Sequence, residues 1–316
     1  MSAPNRWLGV GVATALVVAL AALAVLPTLL SDYWVSLLIN IFFYWILTTA
    51  WALFSGPTRY VSLATSAFFG VGAYLVAWLV KGMALYAIFA LAAAVGVGVA
   101  LVVGLSTLRI SGMYFVIFTF GLSELIRELA IWWEINQTKT LGRYVFVDFP
   151  GTRLYWHLLG LAVLVVLTGW LVQRSRLGFA LRVIGDDEDV ARQVGISVSR
   201  VKVAVFVLSA MFMTLTGALM APRYSYINPN IVFNPLVSFQ VVIMALLGGM
   251  HRLWGPLLGV VPIILLSELL SVRFPYYYTI FLGIVFLVIV YFIPQGLAGL
   301  LERGWARVTI KRQEAA

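Results

Sequence analysis

The chain has 316 residues, of which 63% are hydrophobic and 10% are charged. A soluble domain carries about 25% charged residues, so this composition excludes an ordinary soluble protein and indicates a membrane protein. The net charge of +9 does not indicate nucleic-acid binding, because the basic residues lie at the ends of apolar runs. Cysteine is absent, which excludes disulfides and thiolate metal sites.

The apolar runs have the length of membrane helices, about 20 residues, whereas a barrel strand needs about 10 alternating residues. We therefore predict an all-α, polytopic helical membrane protein with about ten transmembrane or partly re-entrant helices, forming a single transmembrane domain over 1–316. The predicted segments are 8–30, 33–54, 60–80, 84–107, 113–133, 154–173, 201–221, 236–250, 256–271 and 277–293.

The distribution of basic residues predicts the orientation of these segments. With ten crossings and a cytoplasmic N-terminus, fourteen Lys and Arg residues fall on the cytoplasmic side and six on the other, with Arg127 inside a span. Cytoplasmic loops of membrane proteins carry an excess of Lys and Arg. This asymmetry predicts a multi-pass protein with both termini in the cytoplasm.

The first segment also has features of a signal peptide, since Arg6 precedes it and Ala22-Leu23-Ala24 resembles a cleavage site. Its apolar run of about 20 residues exceeds the 7–15 of a signal peptide. We expect a retained span.

The fifth segment carries three ionisable residues, Glu124, Arg127 and Glu128. A charge at the centre of a membrane helix costs about 2.5–3.5 kcal/mol, so such residues usually face protein or water. Glu124 and Arg127 are three residues apart and can pair on one helix face. They are candidates for a subunit interface or a solute pathway, and a structural ion pair is the alternative.

The longest predicted external loop, 134–153, contains polar, aromatic and turn-forming residues. We expect it either to cap the outer mouth of the protein and contact an external partner, or to be a plain connection.

Residues 174–200, here called the charged segment, form the most polar part of the chain. Four consecutive acids follow three arginines and precede further basic residues. Asp186–Gly195 is predicted to be a short surface helix, with acids in its first turn and Gly195 as its stop. Val190, Ala191 and Val194 are expected on one side, suited to a groove in a partner. A solvated loop, whose acids offset nearby arginines, is the alternative.

The later segments contain small residues and prolines. GPLLG, from Gly255 to Gly259, is a GxxxG pattern that favours close helix packing, and helix breaks are expected near Pro229, Pro235 and Pro256. Segments 236–250 and 256–271 are separated only by HRLWG, so one or both are candidates for re-entrant or broken helices. Gly248 and Gly249, as a turn beside substrate or a packing site, and Glu268 complete the pathway candidates.

The charged segment resembles the corresponding part of branched-chain amino-acid permeases of ABC importers (LivM-type). The matching residues are Gly178, Ala180, Arg182, Asp186 or Asp187, Glu188, Ala191 and Gly195. Phe179 and Val190 depart from the family pattern. Four further segments resemble the family in the same order, namely 61–80, 109–129, 241–259 and 292–300, with Ala64 and His251 in place of common glycines.

The resemblance implies an ABC importer permease fold and a function without bond chemistry. It implies a coupling helix that contacts an ATPase subunit through Asp186, Asp187, Glu188, Val190, Ala191, Val194, Gly195 and Ile196. The implied partners are a second homologous permease, two ATP-binding subunits, an extracytoplasmic solute-binding protein and the lipid bilayer of the bacterial inner membrane.

No GxxxxGK[ST] motif is present, so any ATP is expected on partner subunits and no cofactor is expected on this chain.

Alternatives remain for the substrate and for the mode of transport. The resemblance implies branched-chain or other hydrophobic amino acids as substrates, with urea, short amides or aromatic acids as alternatives. A self-sufficient secondary transporter or channel is the alternative from another class.

Overall fold

The protein is described here by a computed structural model that covers residues 18, 21–108, 110, 112–292 and 296–299. Helices dominate this part of the chain. Residues 21–29 are helical. The elements that follow are α1 (Asp32–Thr58), α2 (Thr65–Leu79), α3 (Leu85–Thr107), α4 (Met113–Thr138), β1 (Arg143–Tyr144), α5 (Gly151–Arg174), α6 (Arg176–Asp186), α7 (Glu188–Gln193), α8 (Val198–Met220), a 3-10 turn (Ala221–Arg223), β2 (Tyr226–Ile227), α9 (Pro229–Val232), α10 (Pro235–Gly248), α11 (Gly255–Arg273) and α12 (Tyr278–Phe292).

The prediction of a polytopic helical membrane protein is confirmed. Within the described residues, six helical stretches are long and apolar enough to cross a bilayer: 32–58, 85–107, 151–174, 198–223, 229–248 and 255–273. The helix α2 is apolar but shorter, and α4 carries three charges close together. Each predicted segment from 33–54 to 277–293 coincides with a helix. The first predicted segment, 8–30, and the end of the resemblance at 292–300 lie largely outside the described residues.

The centre of the fold is formed by α1 and α8, which are the most buried spans. A Cβ added to Gly72 of α2 would overlap the carbonyl oxygen of Thr214 in α8, and one added to Gly217 of α8 would overlap that of Phe69 in α2. Small residues let helix backbones approach closely in membranes, where tight packing drives association. These contacts hold α2 directly against α8.

The pair α10 and α11 packs in the same way. A Cβ on Gly259 would overlap the carbonyl oxygen of Met244, and one on Gly248 would overlap that of Gly255. Gly249, the residue that ends α10, has a φ of 97°, which glycine adopts without steric cost. The close helix packing predicted from the GxxxG pattern is therefore present, and α10 and α11 meet around a tight turn.

The predicted break near Pro229 and Pro235 is confirmed by two separate helix starts. The side chains of Asn228 and Asn234 accept hydrogen bonds from the backbone N–H groups of Asn230 and Leu236, each at 2.9 Å. Proline follows each Asn, in a first helical position where no N–H is needed. The four-residue α9 is thus separated from α10.

The helix ends lie on two faces. One, here called the basic face, contains the loops 59–64, 174–200 and 249–254, joined by contacts such as the ion pair Arg59–Asp186. The opposite face contains 80–84, 139–150, 224–228 and 274–277. There β1 and β2 pair antiparallel, with Arg143 opposite Ile227, a small departure from the all-α expectation. The two faces group the described basic residues as the orientation prediction does.

Candidate coupling segment and pathway residues

The charged segment begins with α6, which lies across the basic face. The Ser175 hydroxyl caps α6 by accepting hydrogen bonds from the N–H groups of Leu177 (3.1 Å) and Gly178 (3.4 Å). A Cβ on Gly185 would overlap the carbonyl oxygen of Pro57, so α6 crosses the end of α1 at backbone contact. This contact fixes the helix that leads into the four acids.

The following helix, α7, is a separate short turn with a defined start and stop. The Asp187 carboxylate caps it, accepting hydrogen bonds from the N–H groups of Asp189 (2.7 Å) and Val190 (3.1 Å). At its end, Gly195 has a φ of 83°, and the Ile196 N–H donates to the Ala191 carbonyl at 3.0 Å. This is a Schellman ending. The predicted helix 186–195 is therefore shorter, at 188–193, but Gly195 is the predicted stop.

The three apolar residues expected on one side of this helix, Val190, Ala191 and the C-capping Val194, differ in exposure. Val190 and Val194 are 47% and 64% exposed, whereas Ala191 is fully buried. The exposed apolar surface of α7 thus consists of the two valines, and Ala191 contacts the body of the protein.

Glu188 is directed into the protein. Its Oε1 accepts hydrogen bonds from Lys202 Nζ at 2.8 Å and from the Tyr60 hydroxyl at 2.6 Å. Lys202 is only 2% exposed, and its ammonium lies 4.3 Å from the centre of the Tyr60 ring. Burial raises the pKa of the Glu188 carboxyl, but the hydrogen bonds from Lys202 and Tyr60 and the charges of Lys202 and Arg192 outweigh burial, so its pKa lies below the ordinary value. Glu188 thus joins α7 to α8 and to the start of the loop after α1.

Two of the remaining acids, Asp186 and Asp189, make exposed ion pairs. Asp186 bonds Arg59 at 2.8 Å, and Asp189 bonds Arg192 at 2.7 Å. Exposed pairs of this kind contribute about 0–1 kcal/mol. Arg192 also lies 3.3 Å from the second carboxylate oxygen of Glu188. The interpretation that acids of this segment offset nearby arginines therefore describes Asp186 and Asp189, whereas Glu188 pairs with both Arg192 and the buried Lys202.

On α4, the predicted pairing of Glu124 with Arg127 is present, at 2.7 Å. Arg127 also bonds Glu128 at 2.9 Å and the side-chain oxygen of Asn230, in α9, at 3.4 Å. Glu128 is 61% exposed although it lies in the middle of a long helix. The ionic group thus connects α4 to the broken helix α9 and presents one carboxylate outward.

The other pathway candidates lie elsewhere. Gly248 and Gly249 lie at the basic-face end of α10 and make the backbone contacts with α11 described above. Glu268 lies in the last part of α11 and accepts a hydrogen bond from the Tyr33 hydroxyl at 3.2 Å. The structure therefore does not bring the pathway candidates into one cluster.

Comparison with known proteins decides the family. The family model "Branched-chain amino acid transport system / permease component" matches residues 33–290. The chain belongs to this family.

Individual relatives agree with the family assignment. The permease protein LivM of the high-affinity branched-chain amino acid transport system of Salmonella typhimurium is 26% identical over 77% of this chain and 64% of its own length. LivH of Escherichia coli is 31% identical over 33% of this chain and 32% of its own length. LsrC, the autoinducer 2 import system permease of Klebsiella pneumoniae, is 26% identical over 44% of this chain and 41% of its own length. No solved structure gives a significant match.

The match therefore spans just under two thirds of the length of the LivM relatives.

Within the part of the chain that the structure describes, no three His, Asp or Glu side chains lie together in a way that could hold a metal ion.

The contacts of Glu188 with Tyr60 and Lys202 were not predicted from the sequence. Tyr60 and Lys202 are 128 and 14 residues away from it, and no short spacing links them. One signal was available: Lys202 stands among valines at the start of an apolar run, where a cation needs a partner.

A second missed residue is Glu134, at the opposite-face end of α4. Its buried carboxylate accepts hydrogen bonds from the Tyr74 hydroxyl and from the Gly142 N–H at 2.9 Å, and pairs with Arg143 Nε at 3.1 Å. Arg143 in turn lies over the Trp78 ring at 4.0 Å. One carboxylate thus fastens the predicted external loop to α2 and α4. From the sequence, Glu134 was predicted only to be the first residue of that loop.

Proposed function

We propose that this chain is one of the two transmembrane subunits of a bacterial ABC importer of branched-chain or other hydrophobic amino acids. In this proposal it lies in the inner membrane with the basic face and both termini in the cytoplasm. It pairs with a second homologous permease, and two separate ATPase subunits and an external solute-binding protein complete the importer. Membership of the permease family and the names of the LivM and LivH relatives support this function.

The observation that carries the proposal is the two-sided construction of α7. Its outer side presents two exposed apolar side chains, Val190 and, directly after the helix, Val194. Exposed apolar residues on a short helix suit a groove in a partner protein. Its inner side is bonded through Glu188 to Lys202 of α8 and to Tyr60. A push on α7 by an ATPase subunit is therefore passed to α8 and to the loop between α1 and α2.

Movement of α8 would reach the membrane-embedded part through close contacts. The helix α8 packs at backbone contact against α2, and it lies at the centre of the fold with α1. Packed interfaces have discrete arrangements and do not deform continuously, so a displacement at one end is passed along the helix. Alternating access would follow from re-packing around α8.

The outward side of α4 is the proposed wall of the solute pathway or of the interface with the second permease. Glu128 is exposed there next to Arg127, and a charge facing lipid costs about 2.5–3.5 kcal/mol near the bilayer centre. Contact with water or with the partner permease removes this cost. The ionic group on α4 is the part of this chain proposed to meet a zwitterionic solute or the partner subunit.

Site-specific cross-linking tests the docking of α7. The chain has no cysteine, so Val190→Cys and Val194→Cys each introduce a single thiol. In membranes that contain all proposed subunits, we expect both variants to cross-link to an ATPase subunit through a short bifunctional thiol reagent. Met83→Cys, similarly exposed but on the opposite face, is the matched control. Equal cross-linking from Met83→Cys, or none from α7, contradicts the proposal.

Transport by the reconstituted assembly tests the activity and the substrate. We expect uptake of radiolabelled leucine or valine into proteoliposomes only when ATP and the binding protein are present. Urea, a short amide and phenylalanine serve as competing solutes that separate the proposed substrates from the alternatives. Uptake by this chain alone, without nucleotide, would establish a secondary transporter or channel and contradict the proposal.

A further inference from the structure

A cavity of about 310 Å³ opens on the basic face, next to the charged segment. It lies where the end of α1, the end of α5, the helix α6 and the turn between α10 and α11 meet. Its charged and polar lining includes Arg59, Gln173, Arg182, Asp186, His251 and Arg252. The volume matches that of small-molecule binding pockets, which begin at about 300 Å³.

The cavity carries an excess of positive charge. Among the described residues, three arginines and one carboxylate line it, and that carboxylate, Asp186, is bonded to Arg59 at 2.8 Å. Arg182 and Arg252 belong to α6 and to the turn after α10, so their two guanidinium groups approach the cavity from different elements. Guanidinium groups bind phosphate oxygens through paired hydrogen bonds. The lining therefore suits a phosphate group.

The cavity also lies at the depth of lipid headgroups. Trp170, near the end of α5, is exposed and lies under the guanidinium of Arg174, 4.2 Å from it. Trp254, just before α11, is exposed as well. Tryptophan is enriched where a membrane helix meets the headgroup region, and arginine near a helix end extends toward that region. A lipid headgroup can therefore reach the cavity from the membrane.

The remaining wall is apolar. Leu53 of α1, Leu181 of α6 and Leu253 of the turn line it beside the arginines. A free phosphate ion gains nothing from such a surface, whereas the glycerol and upper acyl carbons of a phospholipid do. Basic pockets between membrane helices are known to hold anionic headgroups in general.

We propose that this cavity binds the headgroup phosphate of an anionic phospholipid, held by Arg182 and Arg252. The bound lipid joins α6 to the turn between α10 and α11, since both elements line the cavity. The inference is independent of the solute that the protein carries.

Native mass spectrometry of the purified full-length chain tests the proposal. Phosphatidylglycerol and phosphatidylcholine with identical short acyl chains are titrated separately, and inorganic phosphate forms a third arm. We expect phosphatidylglycerol to bind with clear preference over phosphatidylcholine. The double variant R182Q/R252Q should weaken phosphatidylglycerol binding by roughly tenfold, since each basic residue near a membrane surface contributes substantially to anionic lipid binding.

The matched control is R176Q/R200Q, which removes two exposed arginines of the same face that do not line the cavity. It should keep the preference. Arg182 and Arg252 are themselves exposed, so thermal denaturation should give the same melting temperature for both double variants. Equal loss in both double variants, or no loss in R182Q/R252Q, overturns the proposal. Binding of inorganic phosphate without preference for phosphatidylglycerol also overturns it, because the source of the phosphate would then not be a lipid.

Discussion

Glu188 and Lys202 form an ion pair at 2.8 Å that fastens the short helix α7 to the central helix α8. The lysine is almost completely buried at the basic-face end of α8, and the Tyr60 hydroxyl shares the same carboxylate oxygen. The exposed helix α7, which we propose binds an ATPase subunit, is thus anchored by a pair that is largely removed from water.

The pair should show a strong energetic coupling in a double-mutant cycle. Glu188→Gln leaves the Lys202 ammonium buried without its anion. Breaking a fully buried pair costs about 3–5 kcal/mol, and the partial exposure of Glu188 reduces the expected loss of unfolding free energy to about 2–3 kcal/mol. Lys202→Met should cost less, because Glu188 can turn to water, and the double variant should recover part of the loss. The free energies come from denaturation in detergent micelles.

Asp189→Asn is the control for this cycle, since it removes an exposed pair with Arg192 and should change the unfolding free energy by less than about 1 kcal/mol. Strictly additive losses for Glu188→Gln and Lys202→Met would mean that the two side chains do not interact.

Acid should release α7 from the body of the protein. The folded pKa of Glu188 lies below its ordinary value of 4.5, so the stabilisation it provides is complete above pH 4.5 and is lost as the pH falls through the lowered folded pKa. Amide hydrogen exchange of a peptide covering 188–196, measured by mass spectrometry, should therefore accelerate below pH 4.5, after correction for intrinsic rates.

The Asp187 carboxylate caps α7, so the contribution of Glu188 must be separated from that of the neighbouring acids. In the Glu188→Gln variant, the α7 amides should already be poorly protected from hydrogen exchange at pH 7. The further loss of this protection in acid should be smaller than in the native protein. Identical acid profiles in both proteins would contradict a role for the Glu188 carboxylate.

Close packing of α10 against α11 should make Gly259 intolerant of any side chain. A methyl group at Gly259 would overlap the Met244 carbonyl oxygen, and the helices would have to separate. We expect Gly259→Ala to lower the unfolding free energy by about 1–3 kcal/mol, as overpacking does. Gly98→Ala on α3 meets no neighbouring atom and should be neutral or stabilising, because alanine favours helix over glycine. Equal melting temperatures for the two variants would argue against the tight α10–α11 contact.

The buried Glu134 should hold the loop 139–149 in place. Glu134→Gln removes the charge that faces Arg143, which can then turn to water because it is partly exposed. We expect a loss of about 1–3 kcal/mol in unfolding free energy, below the full cost of breaking a buried pair. Hydrogen exchange in 139–149 should rise together with it. Glu128→Gln, on the exposed side of the same helix, should leave the exchange of this loop unchanged.

Chemical labelling should distinguish water from lipid along α4. In native membranes, Glu128→Cys should react with a charged, membrane-impermeant methanethiosulfonate reagent, since such reagents require a thiolate in water. Leu164→Cys on α5, similarly exposed but in an apolar surrounding, should not react. Equal reactivity at the two positions would remove the basis for placing the pathway along α4.

Much of the architecture follows from local rules that act along the chain. Apolar run length places α1 to α5, α8 and α10 to α12, since a bilayer helix needs about 20 apolar residues wherever it occurs. Asn followed by Pro starts α9 and α10, and Gly195 ends the charged helix, because capping depends only on neighbouring backbone groups. The Glu124–Arg127 pair also follows from helical spacing alone.

Tertiary structure decides which acid of the charged segment turns inward. Four consecutive acids are equivalent in composition, and only the approach of Tyr60 and Lys202 makes Glu188 the anchored one. The same holds for Glu134, whose partners Tyr74 and Arg143 come from a neighbouring helix and from the loop. The basic cavity, too, exists only because the ends of α1 and α5, the helix α6 and the turn between α10 and α11 meet in space. Ion pairs and cavities of this kind depend on distances in space, which hydropathy and spacing along the chain do not encode.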